Sequence, residues 1–330
     1  MDRHRVWQVH ALGRPHQALR LTAVEAARPG PGCARVAVDA VGVNHPDILL
    51  CAGRYQQRPD LPFSPGFEAS GVVVETGTDS THRVGDHVIV VPELPNGAMQ
   101  EMLTVPDWQL FPVPEDVPAQ VAAVLHIAYA TAHAALHRRA ALRHGDTLVV
   151  SGAAGGVGTA AVQVGHAAGA RVIALVSGAA KAAACRKAGA DVAVDLDETS
   201  DVVADLRQLT DGRGAEVVVD VVGGTLFQQL RRAVAFEGRL VTLGYTSGKL
   251  PELPVNHALL RNYSLVGLHL ALYRQQAPDV LRRIHDEVTS MYGERLIDPP
   301  IHRAMPFEQA PEALDLLAAR ATIGRVVLTT

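Results

Sequence analysis

The part of this sequence best suited to bind a charged ligand is a glycine-rich turn near its middle. It reads GAAGGVG at positions 152–158, between the apolar run 148–151 and an Ala-rich stretch. Glycine has no Cβ, so such a backbone can approach a phosphate, and a helix starting there adds N–H groups. Ala153 breaks the usual G-x-G-x-x-G pattern and a turn without a ligand is the alternative, but the strand–turn–helix order favours a dinucleotide site. Its predicted contacts are Ala154, Gly155, Gly156 and Val157.

The end of the next predicted strand, Arg171–Val176, indicates which dinucleotide would bind. NAD-binding folds commonly place an acidic residue about 20 residues after the turn, where it holds the ribose 2′-hydroxyl. Here Ser177 ends the strand, and no Asp or Glu comes before the next predicted helix, which carries Lys181. A hydroxyl and an ammonium group suit a 2′-phosphate, so we predict NADPH. A solvated lysine on the helix face is the alternative for Lys181.

The elements that must position these residues follow a strand–helix rhythm after about residue 120. The predicted strands are Thr147–Ser151, Arg171–Val176, Val192–Asp195, 216–222, 239–243 and 264–268, with helices such as 157–168 and 179–188 between them. This alternation predicts a doubly wound parallel sheet with helices on both faces. Earlier, short β-like runs broken by Pro and Gly predict a β-rich, barrel-like domain. The fold class is therefore α/β with a separate β-rich domain.

Composition and charge exclude several classes of function. Of 330 residues, 48% are hydrophobic, and the net charge of −4 provides no positive field for a nucleic-acid backbone. The three cysteines are far apart, so neither a disulfide framework nor a structural zinc lobe is expected. The longest apolar run, 122–136, is too short to span a bilayer, and the N-terminus lacks the apolar stretch of a secretion signal. We expect a cytoplasmic protein without a membrane or nucleic-acid partner.

Several motifs, in order along the chain, resemble the medium-chain dehydrogenase/reductase superfamily. Beside the glycine-rich turn they are GVNHPD at 42–47, AGRY at 52–55, PFSPGFEASG at 62–71, VGDHV at 84–88, IAYATA at 127–132 and GRVVL at 324–328. The chain is most similar to the zinc-free quinone oxidoreductase branch, the zeta-crystallin-like proteins. The resemblance covers essentially the whole chain.

The resemblance implies two domains, one of them discontinuous. Residues 1–122 and 270–330 would form a GroES-like catalytic domain, and residues 123–269 would form a Rossmann domain that binds NADPH. This layout would explain why the sequence leaves the strand–helix rhythm after about residue 272. The active site would lie in the cleft between the two domains.

The same resemblance argues against a catalytic metal ion. Zinc-dependent relatives have a Cys after the first core strand and a His in a Gly-His-Glu segment, and a catalytic zinc needs about three protein ligands. Here Phe67 stands at the histidine position, the segment 44–47 lacks the cysteine, and the lobe of four cysteines is absent. We therefore predict no metal site.

Three residues are implied by the resemblance to lie near the reacting end of the cofactor. Asn44 is similar to an asparagine near the nicotinamide ribose, and Thr131 to a threonine near the nicotinamide. Tyr55 matches a tyrosine that acts as a proton donor in related enoyl reductases, and a phenol can donate to an enolate or a carbonyl. The alternatives are an ordinary turn asparagine, a helix-packing threonine and a packing aromatic ring.

Residues after the later strands complete the predicted cofactor site, because ligands bind beyond the carboxyl ends of parallel strands. Gly223 follows one strand, and Leu243 and Gly244 begin a turn similar to the family's Phe-Gly-x-x-Ser-Gly. After the last strand come Leu268 and His269, where the family backbone approaches the nicotinamide amide. Arg325 would either reach the cofactor or order the C-terminal tail.

Without a Lewis acid, hydride transfer to an already electrophilic acceptor is easier than alcohol oxidation. We therefore predict an NADPH-dependent quinone oxidoreductase. The close alternative is reduction of an enone or enoyl double bond, and the alternative of another class is a catalytically silent nucleotide-binding scaffold or RNA-binding protein. The family also suggests a homodimer in which the last Rossmann strands of two copies pair edge to edge.

Overall fold

The first of two compact units is built mainly from β-strands. The computed structural model describes residues 3–330, and this unit consists of the chain up to Ile127 together with Pro300–Thr330. Its elements are β1 (Arg3–Val9), α1 (Pro15–Ala18), β2 (Leu19–Glu25), β3 (Cys33–Val43), α2 (His45–Cys51), β4 (Glu68–Thr76), β5 (His87–Val90), β6 (Met102–Pro106), β7 (Leu110–Pro112), the start of α3 (Ala119–His133), β14 (Ile301–Pro306), α11 (Ala310–Ala318) and β15 (Arg325–Thr329).

A seven-stranded sheet around β3 forms the centre of this unit. The strand order is β14-β15-β3-β4-β5-β7, with β6 also paired to β3, while β1 and β2 pair antiparallel with each other. Close backbone approach requires glycine on β3, because a Cβ on Gly42 would lie 2.0 Å from the Ala123 carbonyl oxygen. Val36, Val38 and Val41 on the same strand are buried in the core. The predicted β-rich domain is confirmed.

The second unit runs from Ala128 to Pro299 and alternates strands with helices. Its elements are the end of α3, β8 (Thr147–Ser151), α4 (Gly156–Ala167), β9 (Arg171–Val176), α5 (Ala179–Lys187), β10 (Val192–Asp195), α6 (Val202–Leu209), β11 (Ala215–Asp220), α7 (Gly224–Leu230), β12 (Val234–Thr242), α8 (Val255–Arg261), β13 (Ser264–Gly267), α9 (Ala271–Gln276) and α10 (Pro278–Gly293).

The six strands of this unit form one parallel sheet in the order β10-β9-β8-β11-β12-β13. The chain starts in the middle at β8, moves outward to β10, and returns to β11 on the other side of β8. Apolar strand residues such as Val149, Val218 and Leu240 pack with Phe227 of α7 in the core. The predicted doubly wound sheet is confirmed, and the reversal between β8 and β11 is where such sheets bind ligands.

The sequence prediction misplaced the start of one strand. We predicted residues 239–243, but β12 begins at Val234. The pairing of β11 with β12 shifts register between Ala215 and Val217, and Glu237 has a left-handed φ of 56°. This irregularity interrupts the apolar pattern, so the sequence showed only the second half of the strand.

The division of the chain differs from the predicted one at both boundaries. The first unit ends at Ile127 rather than at residue 122, and the segment 270–299 packs with the second unit instead of the first. Contacts within the second unit hold this segment: Arg138 over the Tyr273 ring, His133 against Glu287, and the Gln163 side chain bound to the backbone of Asp298. The functional assignment of the two domains stays a prediction.

One stretch of the described chain, Ala119–Arg139, is long and apolar enough to cross a membrane by length and composition alone. It consists of α3 and a π-helical continuation, Ala134–Arg139. Because 67% of its apolar window is buried inside the protein, the stretch has the character of a core helix.

Candidate cofactor and active site

The glycine-rich turn lies between β8 and α4, in the middle of the parallel sheet. Gly152 has a left-handed φ of 58°, and Gly155 is the N-cap of α4. A Cβ on Gly158 would lie 2.2 Å from the Gly152 carbonyl oxygen, so α4 can pack this closely on the turn only with glycine there. The first N–H groups of a helix have no partner inside it. The turn therefore fits a pyrophosphate, and Ala154, Gly155, Gly156 and Val157 lie at its helix end.

A buried hydroxyl and a buried carboxylate join the ends of β8 and β11. Ser151 Oγ donates to Asp220 Oδ1 at 2.6 Å, and both residues are 0% exposed. The carboxylate also accepts N–H bonds from Val222 and Gly223, each at 3.0 Å. Burial raises the pKa of Asp220 above its usual range, while these donors act in the opposite direction. The pair thus fixes the turn that carries Gly223.

The turn after β12 folds over the turn after β11. Leu243 N donates to the Asp220 carbonyl oxygen at 2.9 Å, and Ser247 N donates to the Val222 carbonyl oxygen at 2.9 Å. A Cβ on Gly223 would lie 2.9 Å from the Lys249 carbonyl oxygen. The predicted residues Gly223, Leu243 and Gly244 are therefore together at the carboxyl ends of β11 and β12.

Other predicted cofactor residues lie at the same end of this sheet. Ser177 is exposed directly after β9, and Lys181 is partly buried in the first turn of α5. At the opposite edge Leu268 N donates to the Thr242 carbonyl oxygen at 3.4 Å, and His269 follows. Thr131 is partly buried in α3.

In the first unit, Asn44 belongs to a buried polar network at the end of β3. Its Nδ2 donates to Glu68 Oε1 at 3.2 Å and to the Gly42 carbonyl oxygen at 3.0 Å. Glu68 also accepts from Arg325 at 2.5 Å and from the N–H of Ile127 at 2.9 Å. The Asn44 amide is therefore held in one orientation by an ion pair behind it.

The Arg325 side chain is part of this buried network. Its side chain is 7% exposed and that of Glu68 is 0% exposed. The guanidinium Nε is buried and has no hydrogen-bond partner within residues 3–330. The ion pair supports the alternative that Arg325 orders the C-terminal strand, and its role in binding a cofactor stays a prediction.

A second buried carboxylate, Asp47, lies beside this network. Its Oδ2 accepts from Asn44 N at 2.8 Å, and its Oδ1 accepts from Gly66 N at 2.9 Å. Burial raises the pKa of Asp47 to about 7, against the effect of the two N–H bonds. Asp47 thereby ties the first turn of α2 to the segment that leads into β4.

Tyr55 is placed by an aromatic contact. The Tyr55 and Phe67 ring centroids are 5.3 Å apart at an interplanar angle of 68°, which is an edge-to-face arrangement. Phe67 immediately precedes Glu68, so Tyr55 and Asn44 are both positioned by the same segment, 67–68. Tyr55 thus contributes a phenol hydroxyl, and Asn44 an amide, beside one positioning segment.

The chain resembles known proteins along nearly its whole length. A family model described as the alcohol dehydrogenase GroES-like domain matches residues 30–115, and one described as zinc-binding dehydrogenase matches residues 156–286. Quinone oxidoreductase-like protein 2 of Bos taurus is 37% identical over 297 residues, which is 89% of this chain and 84% of that protein. The chain belongs to the medium-chain dehydrogenase/reductase superfamily. Quinone oxidoreductase-like proteins are among its relatives within the superfamily.

Solved structures of this superfamily share the fold. The quinone oxidoreductase of Pseudomonas syringae has a TM-score of 0.92 at 29% identity, covering 99% of this chain and 100% of that chain. A mycobacterial protein complexed with NADPH has a TM-score of 0.91 at 31% identity, with the same coverage. The superfamily assignment and the combination of a GroES-like domain with a parallel-sheet domain, both predicted from the sequence, are confirmed.

The zinc site of some superfamily members is not matched by the residues here. Phe67 stands where a histidine ligand would be, and its ring packs against Tyr55. Within residues 3–330, no group of three or more His, Cys, Asp or Glu side chains is arranged to hold a metal ion. These residues do not fit zinc, and catalysis without a metal stays a prediction.

The sequence analysis missed the groups that support the site. Asp220 was visible as the acidic residue at the end of an apolar run, 217–219, and Glu68 as the acidic residue after Phe67. Both are 0% exposed, and both have partners that are distant in the sequence. Only the lone carboxylates could have been noticed from the sequence, whereas their partners could not.

Proposed function

We propose that this chain is an NADPH-dependent reductase that acts on quinones without a metal ion. The observation that carries the proposal is the close packing of Gly158 on Gly152, which brings the start of α4 to the end of β8. Ser177 and Lys181 offer a hydroxyl and a cation to a 2′-phosphate. The similarity to the quinone oxidoreductase-like protein of Bos taurus and to the quinone oxidoreductase of Pseudomonas syringae supports quinone reduction, and the similarity to a mycobacterial protein complexed with NADPH supports that coenzyme.

Bound NADPH would supply the hydride, and the acceptor then needs a proton on the oxygen that gains charge. Where water does not supply this proton readily, as after hydride addition to an enone, we assign the donation to the Tyr55 hydroxyl, which solvent can reprotonate. Asn44, whose Nδ2 is bound to Glu68 and Gly42, would orient the ribose, and Thr131 would contact the nicotinamide. The turns at Gly223, Leu243 and Gly244, with Leu268 and His269, would exclude water from the cofactor.

Reduction of an enone or enoyl double bond is the second candidate, favoured by the edge-to-face contact that holds Tyr55. Hydride addition to an enone leaves an enolate that must be protonated, whereas a reduced quinone is a delocalised phenolate that water can protonate. The two substrates therefore differ in their need for Tyr55.

Calorimetric titration with NADPH, followed by steady-state assays with a naphthoquinone and an enone, tests the proposal. We expect micromolar NADPH binding and turnover of the quinone. Tyr55→Phe should reduce kcat on the enone by about 10²-fold, the usual contribution of a positioned proton donor, and change the quinone rate little. Phe67→Leu keeps the phenol but removes its aromatic support, and serves as the matched control.

Two results would contradict the proposal. Absence of binding of any nicotinamide coenzyme would remove it altogether. Binding of NADPH without turnover of either acceptor would favour the catalytically silent scaffold, and an RNA-binding assay would then follow.

We also propose that the chain forms a homodimer through the β13 edge of the parallel sheet. β13 is the last strand in the sheet order, and large apolar side chains near it are exposed: Phe236 at 70%, Val255 at 80%, Leu259 at 74% and Leu260 at 76%. An edge strand with exposed apolar neighbours is suited to pairing with a second copy. Light scattering should give twice the mass of 35.0 kDa, and a mass of one chain would contradict the proposal. A cytoplasmic location remains part of the proposal.

A further inference from the structure

A carboxylate from the third strand of the second unit reaches back to the turn after the second strand. Asp195 ends β10, and its Oδ1 accepts from Gly178 N at 2.7 Å and from Asp197 N at 3.1 Å. β10 and β9 are parallel neighbours with Asp195 opposite Val176, so both strands end at the same level. The Asp195 carboxylate therefore lies at the turn that begins with Ser177.

This turn is built around the Asp195 contact. Gly178 has a left-handed φ of 93°, and its carbonyl oxygen accepts from Lys181 N at 3.1 Å as α5 begins. The hydrogen bond from Gly178 N to Asp195 thus fixes the orientation of Gly178, which lies between Ser177 and α5. In the proposed function, Ser177 and Lys181 are the residues that receive the 2′-phosphate.

No acidic residue lies between the end of β9, the second strand of this unit, and the start of α5. This absence favoured NADPH over NADH. The structure supplies one from the neighbouring strand instead. A carboxylate at this place accepts a hydrogen bond from a ribose 2′-hydroxyl and repels a 2′-phosphate. Lys181 and Asp195 therefore act in opposite directions on the same group of the coenzyme.

We propose that Asp195 is a specificity-determining residue that limits the preference for NADPH over NADH. The proposal rests on the proposed coenzyme function, because it concerns the same turn. Asp195 has two separable effects: its oxygen anchors Gly178, and its charge opposes a phosphate. A substitution that keeps the acceptor and removes the charge separates them.

The test measures the dissociation constants of NADPH and NADH by fluorescence titration of the intact chain and three variants. In Asp195→Asn the amide oxygen still accepts from Gly178, so we expect NADPH to bind about fivefold more tightly, the size of one partly exposed charge pair. NADH affinity should stay the same or weaken. Asp195→Ala removes the anchor as well and should weaken both coenzymes. Asp197→Asn, an exposed carboxylate nearby, is the matched control and should change the ratio less.

The outcomes separate the two proposals. A wild-type chain that binds coenzyme, with the same ratio of affinities in Asp195→Asn, would overturn the role of Asp195 alone. An equal gain in Asp197→Asn would overturn it too, because the effect would then be one of general charge. A folded wild-type chain that binds neither coenzyme would overturn the proposed function and this inference together. Circular dichroism of each variant confirms that it folds.

Discussion

The two units each bury a carboxylate completely, and they stabilise it in different ways. In the first unit Glu68 meets a cation, the Arg325 guanidinium, at 2.5 Å. In the second unit Asp220 has no such partner among its hydrogen bonds within the described chain, which come from the Ser151 hydroxyl and from two backbone N–H groups. The network of Glu68 therefore pairs two opposite charges, whereas the network of Asp220 binds a carboxylate to the backbone of a turn.

Because of this difference, the two networks control different properties of the protein. Loss of one member of a buried ion pair leaves an uncompensated charge in the core, so the cost falls on the folding of the unit. Loss of an acceptor for backbone N–H groups releases the turn that donates them, so the cost falls on the local loop. Glu68 and Arg325 therefore stabilise the fold around Asn44, and Asp220 shapes the turn around Gly223.

The largest effect is expected for Arg325→Met. The apolar substitute leaves Glu68 buried without its cation, which should lower the free energy of unfolding by about 3–5 kcal/mol. Urea denaturation followed by circular dichroism measures the change. The reason is the charge rather than the volume, since methionine fills a comparable length of the site.

The double variant Arg325→Met with Glu68→Gln provides the control for that prediction. With both charges removed, the buried site holds neutral groups, and the amide oxygen that replaces the carboxylate can still accept from the Ile127 N–H. We expect more than half of the lost stability to return. A double variant no more stable than the single one would contradict the comparison, because the Glu68 charge would then not be the cause.

A smaller effect is expected for Asp220→Asn, and mainly on binding. The asparagine amide has one acceptor atom, its oxygen, where the carboxylate has two. Either Gly223 N or the pair of donors Ser151 Oγ and Val222 N therefore loses its acceptor, at a cost of about 1–3 kcal/mol. Coenzyme affinity, measured by calorimetry, should weaken about tenfold if about 1.4 kcal/mol of that cost falls on the turn. Ser151→Ala removes one donor and keeps the carboxylate, so it should weaken binding less. Equal coenzyme affinity in Asp220→Asn and the wild type would remove the distinction drawn between the two networks.

The same two regions show how far the sequence predicts the structure. Strands β8, β9 and β10 were placed at their observed bounds because each contains a continuous apolar run, as is typical of parallel strands, and β8 and β9 are buried along almost their whole length. The glycine-rich turn was equally visible, since a close approach of α4 to β8 demands glycine at a fixed spacing. These features are local, and a local pattern encodes them.

The supporting networks and the boundary at residues 270–299 were not visible because they depend on long-range pairing. Glu68 and Arg325 are separated by 257 positions, and Ser151 and Asp220 by 69. An amphipathic helix such as α10, with Leu281, Ile284 and Val288 buried, shows which of its faces is covered but not by which unit. Register and domain partner are properties of the folded chain.

The smallest effect expected concerns a third kind of group, the mostly buried side chain of His133 in the second unit, which is 12% exposed. Its Nδ1 is buried with no hydrogen-bond partner inside residues 3–330, and its Nε2 lies 3.3 Å from Glu287. Burial, reinforced by His137, lowers the pKa of His133 to about 4. The unfolded chain takes up this proton near pH 6.5 and the folded chain only near pH 4, so the free energy of unfolding should fall as the pH drops between these values.

His133→Gln removes this titrating group. The fall in the free energy of unfolding from pH 7 to pH 5 should therefore be smaller than in the wild type by about 1 kcal/mol, after allowance for the nearby Glu287. Thermal or urea unfolding at pH 5 and pH 7 measures the difference, with the exposed His10→Gln as the matched control. If His10→Gln flattens the pH dependence as much as His133→Gln does, the effect belongs to the net charge and not to the buried ring. A flatter profile in His133→Gln alone would show that the second unit holds its buried histidine by keeping it neutral, whereas the first unit holds Glu68 by pairing it.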